Sequence, residues 1–272
     1  MPEIPDLEAI RRFLEPRLRG NALAAVEARI PWLVRTGAAA LDTLVEHELP
    51  AVRRHGKFLL FATDDERLLV VNPMLTGRFH WAEPAERRRP LTALVLSFAD
   101  GHQLRYSDAR RMGRWYLVPA DALATVPQFA VLGPDALAVD EDTFVQRLAR
   151  HRGQIKSTLT NQQFIAGIGN AYADEILWEA GLHPHRRRST MSEEDQRRLY
   201  RAMRSTLAWA LPILAAEVAE RLYQSNEEWR DHLRVHHRLD QPCPRCGEPI
   251  HGQVRGGSET NYCLHCQPLV LG

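Results

Sequence analysis

Residues 161–184 read NQQFIAGIGNAYADEILWEAGLHP. Gly167 and Gly169 form a short turn, Asn170 follows, and Ala173, Ile176, Leu177 and Ala180 then recur at helical spacing. Asn170 is a good N-cap residue. Gly181 falls where a left-handed C-terminal cap is expected, with Pro184 just beyond it. Glycines ahead of a helix start expose backbone N–H groups, and the helix dipole adds partial positive charge there, so such a turn can grip a phosphate. An ordinary capped helix after a glycine turn fits the spacing as well, and the rest of the chain has to separate the two.

The chain has 272 residues, the size of one large or two modest domains. Its longest apolar run, around Leu207 to Ala216, is short and contains Pro212, so no membrane span is expected. The start, MPEIPDLEAI, has no basic head before an apolar core, so no signal peptide is expected and a cytoplasmic location is predicted. A net charge of +1 disfavours indiscriminate coating of nucleic acid. Local arginine clusters remain at Arg53-Arg54, Arg87 to Arg89, Arg110-Arg111 with Arg114, and Arg186 to Arg188, and each alone reads as a solvated run. Of 35 basic residues only Lys57 and Lys156 are lysines. Coding bias explains the arginine excess but not why these two positions stayed lysine. Lysine transfers protons and contacts phosphate compactly, which arginine mimics poorly.

Met1 precedes Pro2, a small residue that permits removal of the initiator. Pro2 would then carry a free secondary amine of pKa near ~8, against ~10.4 for lysine, so roughly 10% is unprotonated at neutral pH. That amine is a plausible nucleophile, with Glu3 beside it as proton donor or acceptor. A Met-Pro start without catalytic meaning is the plain alternative. Asp6 to Arg19 reads as a helix closed by Gly20. From Leu23 to Pro119, short apolar runs at Lys57 to Ala62, Leu68 to Val71 and Leu94 to Phe98 alternate with turn signals. Asp100-Gly101 suits a two-residue hairpin turn. The texture predicts an antiparallel β-sandwich behind a leading helix. Residues 120–139 look like a linker. Helices are expected over Asp142 to Arg150, Gly153 to Thr160 and Ser192 to Ala210 or beyond, with Pro212 breaking or kinking the last. A final helix is expected over Glu217 to Arg234, with a loop around Ser225-Asn226.

The four cysteines form two CxxC pairs, Cys243/Cys246 and Cys263/Cys266, with 16 residues between them. That spacing suits a tetrahedral zinc site of four cysteine thiolates on two knuckles. Four thiolates leave no open coordination position, so one structural Zn2+ is expected, supplying most of the folding energy of a small ribbon. Disulfides are the alternative, disfavoured in a reducing compartment.

Together and in this order these pieces resemble the formamidopyrimidine-DNA glycosylase/endonuclease VIII family of bifunctional base-excision enzymes. Pro2-Glu3-Ile4-Pro5 with Glu8 resembles its N-terminal signature, QQFIAGIGNAYADEILWEAGLHP its helix-two-turn-helix segment, and the ribbon ending at Cys266-Gln267 its zinc finger. The resemblance implies an α+β chain of two domains: an N-terminal antiparallel β-sandwich with a leading helix over 1–125, a linker over 126–139, a helical domain with the helix-two-turn-helix over 140–236, and a four-cysteine zinc ribbon over 237–272. It implies a monomer acting on damaged double-stranded DNA, removing oxidised bases of the formamidopyrimidine or oxidised-pyrimidine type. Pro2 would attack C1′ of the damaged nucleotide and form an iminium, and β,δ-elimination would leave a one-nucleotide gap. Glu3 would move protons at the sugar ring and Lys57 would serve as phosphate contact and acid/base partner. Lys156, Gly169 and Asn170 would hold backbone phosphate, with Asp174 and Glu175 pointing away from the DNA toward solvent or a neighbouring arginine. The family fills the hole left by a flipped base with side chains; Leu75, Arg110 and Met112 match those positions, with Arg111 beside them.

Three departures stand out. Met112 takes the place of a common aromatic wedge. Ser258 stands where the family carries an arginine at the finger tip, with Arg255 the nearest substitute. Residues 219–238, AERLYQSNEEWRDHLRVHHR, lack the Gly- and Thr-rich capping loop of the 8-oxoguanine branch. The missing loop speaks against 8-oxoguanine as substrate, while Met112 and Ser258 favour the competing reading, a catalytically weak or inactive damage-binding scaffold, which the joint presence of Pro2, Glu3 and Lys57 opposes. Catalytic zinc of the deaminase kind has no His-x-Glu set to support it.

Overall fold

The computed structural model describes residues 1–219, 221–222 and 228–269, apart from the side chains of Arg255, Ser258 and Glu228. It separates into two compact units, residues 1–131 with 211–229, and residues 132–210 with 230–272.

The first unit opens with α1 (Ile4–Leu18), followed by eight antiparallel strands. These are β1 (Leu23–Ala28), β2 (Ala51–His55), β3 (Phe58–Ala62), β4 (Arg67–Asn72), β5 (Gly77–Ala82), β6 (Thr92–Phe98), β7 (Gln103–Asp108) and β8 (Arg114–Pro119). They make two four-stranded sheets, ordered β1-β6-β7-β5 and β2-β3-β4-β8. This is the expected sandwich. Leu59, Phe61, Leu69 and Val71 from one sheet and Phe79, Leu94, Leu96 and Leu104 from the other share one core with Leu7, Ile10 and Leu14 of α1. Each such side chain contributes on the order of 1.5–3 kcal/mol by leaving water. The expected two-residue turn at Asp100-Gly101 is a longer loop between β6 and β7. Gly101 is left-handed there, and Asp100 accepts the His102 N–H at 2.9 Å, so the aspartate side chain closes the turn.

The second unit holds α2 (Glu141–Leu148), α3 (Ile155–Thr160), α4 (Asn170–Ala180), most of α5 (Glu193–Val218) and the hairpin β9 (His251–Arg255) and β10 (Ser258–Tyr262). Asp140 caps α2 by accepting the Thr143 N–H at 2.8 Å. Ser192 and Asp195 cap α5 reciprocally, each accepting the other's N–H at 3.1 Å. α5 runs on past Ala210 to Val218. Pro212 costs it a hydrogen bond, but Leu214 and Val218 beyond it are buried in the first unit's core, and their burial offsets that loss. No α-helix follows Val218 among the described residues; Glu228–Arg230 is a single 3-10 turn, which corrects the expected helix over Glu217 to Arg234. The expected loop around Ser225-Asn226 lies outside the described residues. Among the described residues no helix is long and apolar enough to cross a membrane.

Candidate active site, nucleic-acid interface and metal centre

Pro2 is buried and Glu3 is 3% exposed. Glu3 is the N-cap residue of α1, and its N–H donates to Asp6 Oδ2 at 2.7 Å, so the helix start fixes the backbone on which both candidate groups sit. One turn on, Glu8 gathers three guanidiniums: Arg11 at 2.9 Å, Arg12 at 2.9 Å and Arg54 at 3.3 Å. Burial alone would raise the Glu8 pKa, but the three arginines outweigh it and hold the carboxyl below its usual range.

Arg54 explains where Lys57 sits. β2 and β3 pair His55 with Phe58, leaving Gly56-Lys57 as a two-residue turn with Gly56 left-handed. Arg54 Nη1 donates to the Gly56 carbonyl at 3.1 Å while its Nε holds Glu8. One guanidinium thus ties the lysine turn to the helix that Glu3 caps. Lys57 itself is 8% exposed.

Leu75, Arg110, Arg111 and Met112 lie on two loops that Asp108 knots together. Its carboxylate accepts the Thr76 hydroxyl from one loop and, from the other, the N–H groups of Arg110 at 3.2 Å and Gly113 at 2.6 Å. The Arg110 N–H also donates to Thr76 Oγ1 at 2.9 Å. A Cβ on Gly77 or Gly113 would collide with the Tyr106 hydroxyl, so both positions need glycine. Arg110 and Arg111 are exposed, and Leu75 and Met112 half-buried.

In the second unit Gly167 is left-handed, and its N–H donates to Gln162 Oε1 at 2.8 Å. Gly169, not Asn170, is the N-cap of α4. The asparagine's side chain is engaged elsewhere and donates to the Glu259 carbonyl at 2.8 Å. Lys156 Nζ reaches the same carbonyl at 2.8 Å, with Thr260 Oγ1 at 2.9 Å and the Asp174 carboxylate at 2.7 Å. Lys156, Asn170, Ser157, His185 and Thr260 line a cavity of about 280 Å³.

Asp174 and Glu175 do not face solvent; both are fully buried. Asp174 takes Lys156, the His236 ring at 2.7 Å and the Asn261 N–H at 3.0 Å. Glu175 accepts the N–H groups of Arg234, Val235 and His236 at 3.0, 2.8 and 3.0 Å. A carboxylate on α4 is the cheapest way to satisfy backbone donors in a segment that has no strand or helix partner.

The four cysteine sulfurs lie within 4.8 Å of one another. Cys243–Cys266 and Cys246–Cys263 are 3.8 and 3.5 Å apart, close to the edge of about 3.8 Å that a tetrahedron of ~2.3 Å Zn–S bonds requires. None is in a disulfide. Trp178 Nε1 donates to Cys243 Sγ at 3.4 Å, and the Cys263 N–H donates to Gln267 Oε1 at 2.9 Å, so the ligands are oriented from outside the sphere. The donor set fits one structural zinc, which crosslinks two knuckles whose Cys243, Ile250 and Cys263 share a small apolar cluster with Trp178 and Val235.

Three family models match in sequence order: the formamidopyrimidine-DNA glycosylase N-terminal domain over residues 1–115, its H2TH domain over 132–220, and the zinc finger found in FPG and IleRS over 240–269. The chain belongs to the formamidopyrimidine-DNA glycosylase family. Its activity is that of a bifunctional DNA glycosylase and abasic-site lyase. The formamidopyrimidine-DNA glycosylase of Moorella thermoacetica is 37% identical over 92% of this chain and 93% of its own length. That of Pelotomaculum thermopropionicum is 33% identical over 99% and 100%. A solved complex of the Lactococcus lactis enzyme with DNA containing N7-benzyl-Fapy-dG superposes with a TM-score of 0.89 at 30% identity, covering 98% of this chain and all of that one. Its complex with abasic-site DNA gives 0.88 at 29%, covering 98% and 99%.

Sequence reasoning passed over Arg54 and Asp108. Arg54 lay in a run read as solvated, and only its 5% side-chain exposure reveals the buried pair with Glu8. Asp108 had a signal, an aspartate opening a turn whose N–H groups need an acceptor. The side chains of Arg255 and Ser258 lie outside the described residues.

Proposed function

We propose that this glycosylase/lyase works through Pro2 once Met1 is removed. The Pro2 nitrogen attacks C1′ of the damaged nucleotide. The C1′–base bond breaks, the base leaves with a proton, and Glu3 supplies the proton that opens the sugar at its ring oxygen. The resulting iminium acidifies C2′. Loss of that proton expels the 3′ phosphate, and a second elimination expels the 5′ phosphate. Lys57 contacts phosphate and exchanges protons during elimination. The observation that carries this reading is the Arg54 link, which fixes the Gly56-Lys57 turn to the helix that Glu3 caps and that buried Pro2 and Glu3 immediately precede. A scaffold without chemistry has no use for that arrangement.

In the second unit we assign backbone phosphate to the N–H groups at Gly169 and Asn170, where the dipole of α4 adds positive charge. Lys156 supports them from beneath, and Arg255 contacts DNA from the hairpin. Leu75, Arg110 and Met112 fill the space of the flipped nucleotide, with Arg110 facing the orphan base. The substrate is damaged double-stranded DNA, and the protein acts as a monomer. Four cysteines that hold zinc only while reduced support a cytoplasmic location. The divisions at 126–139 and 237 are read as the linker and the start of the ribbon.

Oxidised purines of the formamidopyrimidine type and oxidised pyrimidines are the substrate classes. Duplexes holding 8-oxoguanine, formamidopyrimidine, 5-hydroxyuracil, dihydrouracil or an abasic site, scored for incision, test this. Incision at formamidopyrimidine or pyrimidine lesions with phosphate ends is expected. Cleavage of none of them, including the abasic duplex, would overturn the reading.

A further inference from the structure

We propose that the first unit carries a second DNA-backbone site, built by Arg35 and Arg114 with Trp32 and Arg111 beside it, that takes phosphates of the strand opposite the lesion. The inference rests on the functional reading above and extends it to a surface that the reading does not use.

Trp32 is 55% exposed although its neighbours Leu33 and Val34 are buried, at 2% and 5%. Pro31 starts a single 3-10 turn, Pro31–Leu33, and the turn carries the indole outward while Leu33 goes into the core. The Arg111 guanidinium sits 5.7 Å from the centre of that indole. The segment that follows is fixed as well. The Arg35 N–H donates to the Trp115 carbonyl at 2.8 Å, and Thr36 Oγ1 accepts the Leu117 N–H at 3.0 Å. Arg35 therefore lies alongside β8, whose first residue is Arg114. Between them is a cavity of about 470 Å³ lined by Arg35, Thr36, Arg114 and Tyr116 with apolar Val118 and Val126, and with no acidic side chain.

In the same unit Arg11, Arg12, Arg29, Arg54, Arg67, Arg88 and Arg221 each pair with a carboxylate. Among the described residues Arg35, Arg111 and Arg114 have no such partner. Other arginines of the unit, Arg53, Arg87 and Arg110 among them, also lack one; what sets these three apart is their placement, with Arg35 and Arg114 lining one acid-free cavity and Arg111 lying over the exposed indole beside it. Guanidinium forks match phosphate oxygens, and an exposed ring with a cation over it is the surface that nucleic-acid backbones and bases pack on. Arg114 follows the loop that carries Arg110 by four residues. With Arg110 at the orphan base, phosphates reaching Arg114 belong to the orphan's own strand.

The test uses the intact protein and DNA carrying a tetrahydrofuran abasic analogue, as a duplex and as the lesion strand alone. The double variant R35A/R114A should bind the duplex more weakly at low salt, with the slope of log Kd on log salt reduced by about two. Binding of the lone lesion strand should change far less. R35K/R114K should keep the slope, and W32A should weaken duplex binding without changing it. On the wild-type protein, hydroxyl-radical footprinting should protect sugars of the undamaged strand beyond the orphan position. An unchanged slope in R35A/R114A of unaltered melting temperature, equal losses on both DNAs, or an unprotected opposite strand would each overturn the proposal. Failure of the functional reading is seen separately, as a wild-type protein that incises no lesion duplex.

Discussion

The Lys156 ammonium lies 2.7 Å from the Asp174 carboxylate, with Lys156 7% exposed and Asp174 fully buried. It also donates to the Glu259 carbonyl and Thr260 Oγ1, both on β10. Because Asn170 donates to the same Glu259 carbonyl, α3, the start of α4 and the ribbon hairpin meet at one oxygen. Removing one partner of a buried pair strands the other charge, which costs about 3–5 kcal/mol. Lys156→Met should therefore lower the melting temperature strongly and loosen the ribbon even with zinc loaded. A variant with wild-type stability would show that the pair does not anchor the hairpin.

Asp108 makes a second prediction. Asp108→Ala leaves the N–H groups of Arg110 and Gly113 without their acceptor and unties the Thr76 loop from the Arg110 loop. Orphan-base discrimination should collapse toward equality while binding to abasic DNA falls less. Rates measured against each of the four opposite bases check this; preserved discrimination would refute it.

Acid should weaken the second unit through His183. Burial, with His185 nearby, pushes its pKa down to about 4 from an ordinary value near ~6.5. Above pH 6.5 both folded and unfolded states are neutral at this ring. Between about 6.5 and 4 the unfolded chain takes up a proton that the folded chain refuses, so stability falls as pH falls and the loss levels off below about 4. At about 1.4 kcal/mol per unit the full loss is on the order of 3 kcal/mol. His183 Nδ1 accepts the His185 N–H at 3.2 Å, a bond that Asn can imitate. His183→Asn should flatten the pH dependence of melting over that window.

Zinc removal should act on structure and not on chemistry. Chelation should unfold the ribbon, loosen residues 234–236, whose N–H groups Glu175 accepts, and abolish DNA binding. Pro2 chemistry toward a small free aldehyde should survive it. Tryptophan fluorescence follows the first effect, because Trp178 packs against Cys243.

Much of this was legible in the residues. Alternating apolar runs specified the sandwich, the CxxC spacing specified the metal centre, and Gly181 closed α4 in the left-handed conformation its position required. What escaped was settled by long-range partners that no local pattern encodes. Asn170 has the chemistry of an N-cap, but the Glu259 carbonyl, 89 residues away, takes its amide. Asp174 and Glu175 look like helix-surface acids; residues 234–236 and 261, with Lys156, draw them inside. Pro212 signals a break or a kink, and it is core burial beyond it that decides that α5 continues.

The account depends most on the identity of the nucleophile. Borohydride reduces an iminium to a stable amine, so protein freed of Met1 and mixed with abasic duplex DNA should yield a covalent adduct through the N-terminal peptide. Pro2→Gly should slow its formation, and retention of Met1 should abolish it. An adduct mapped to Lys57 or Lys156, or no adduct from zinc-loaded protein with Pro2 free, would contradict the mechanism.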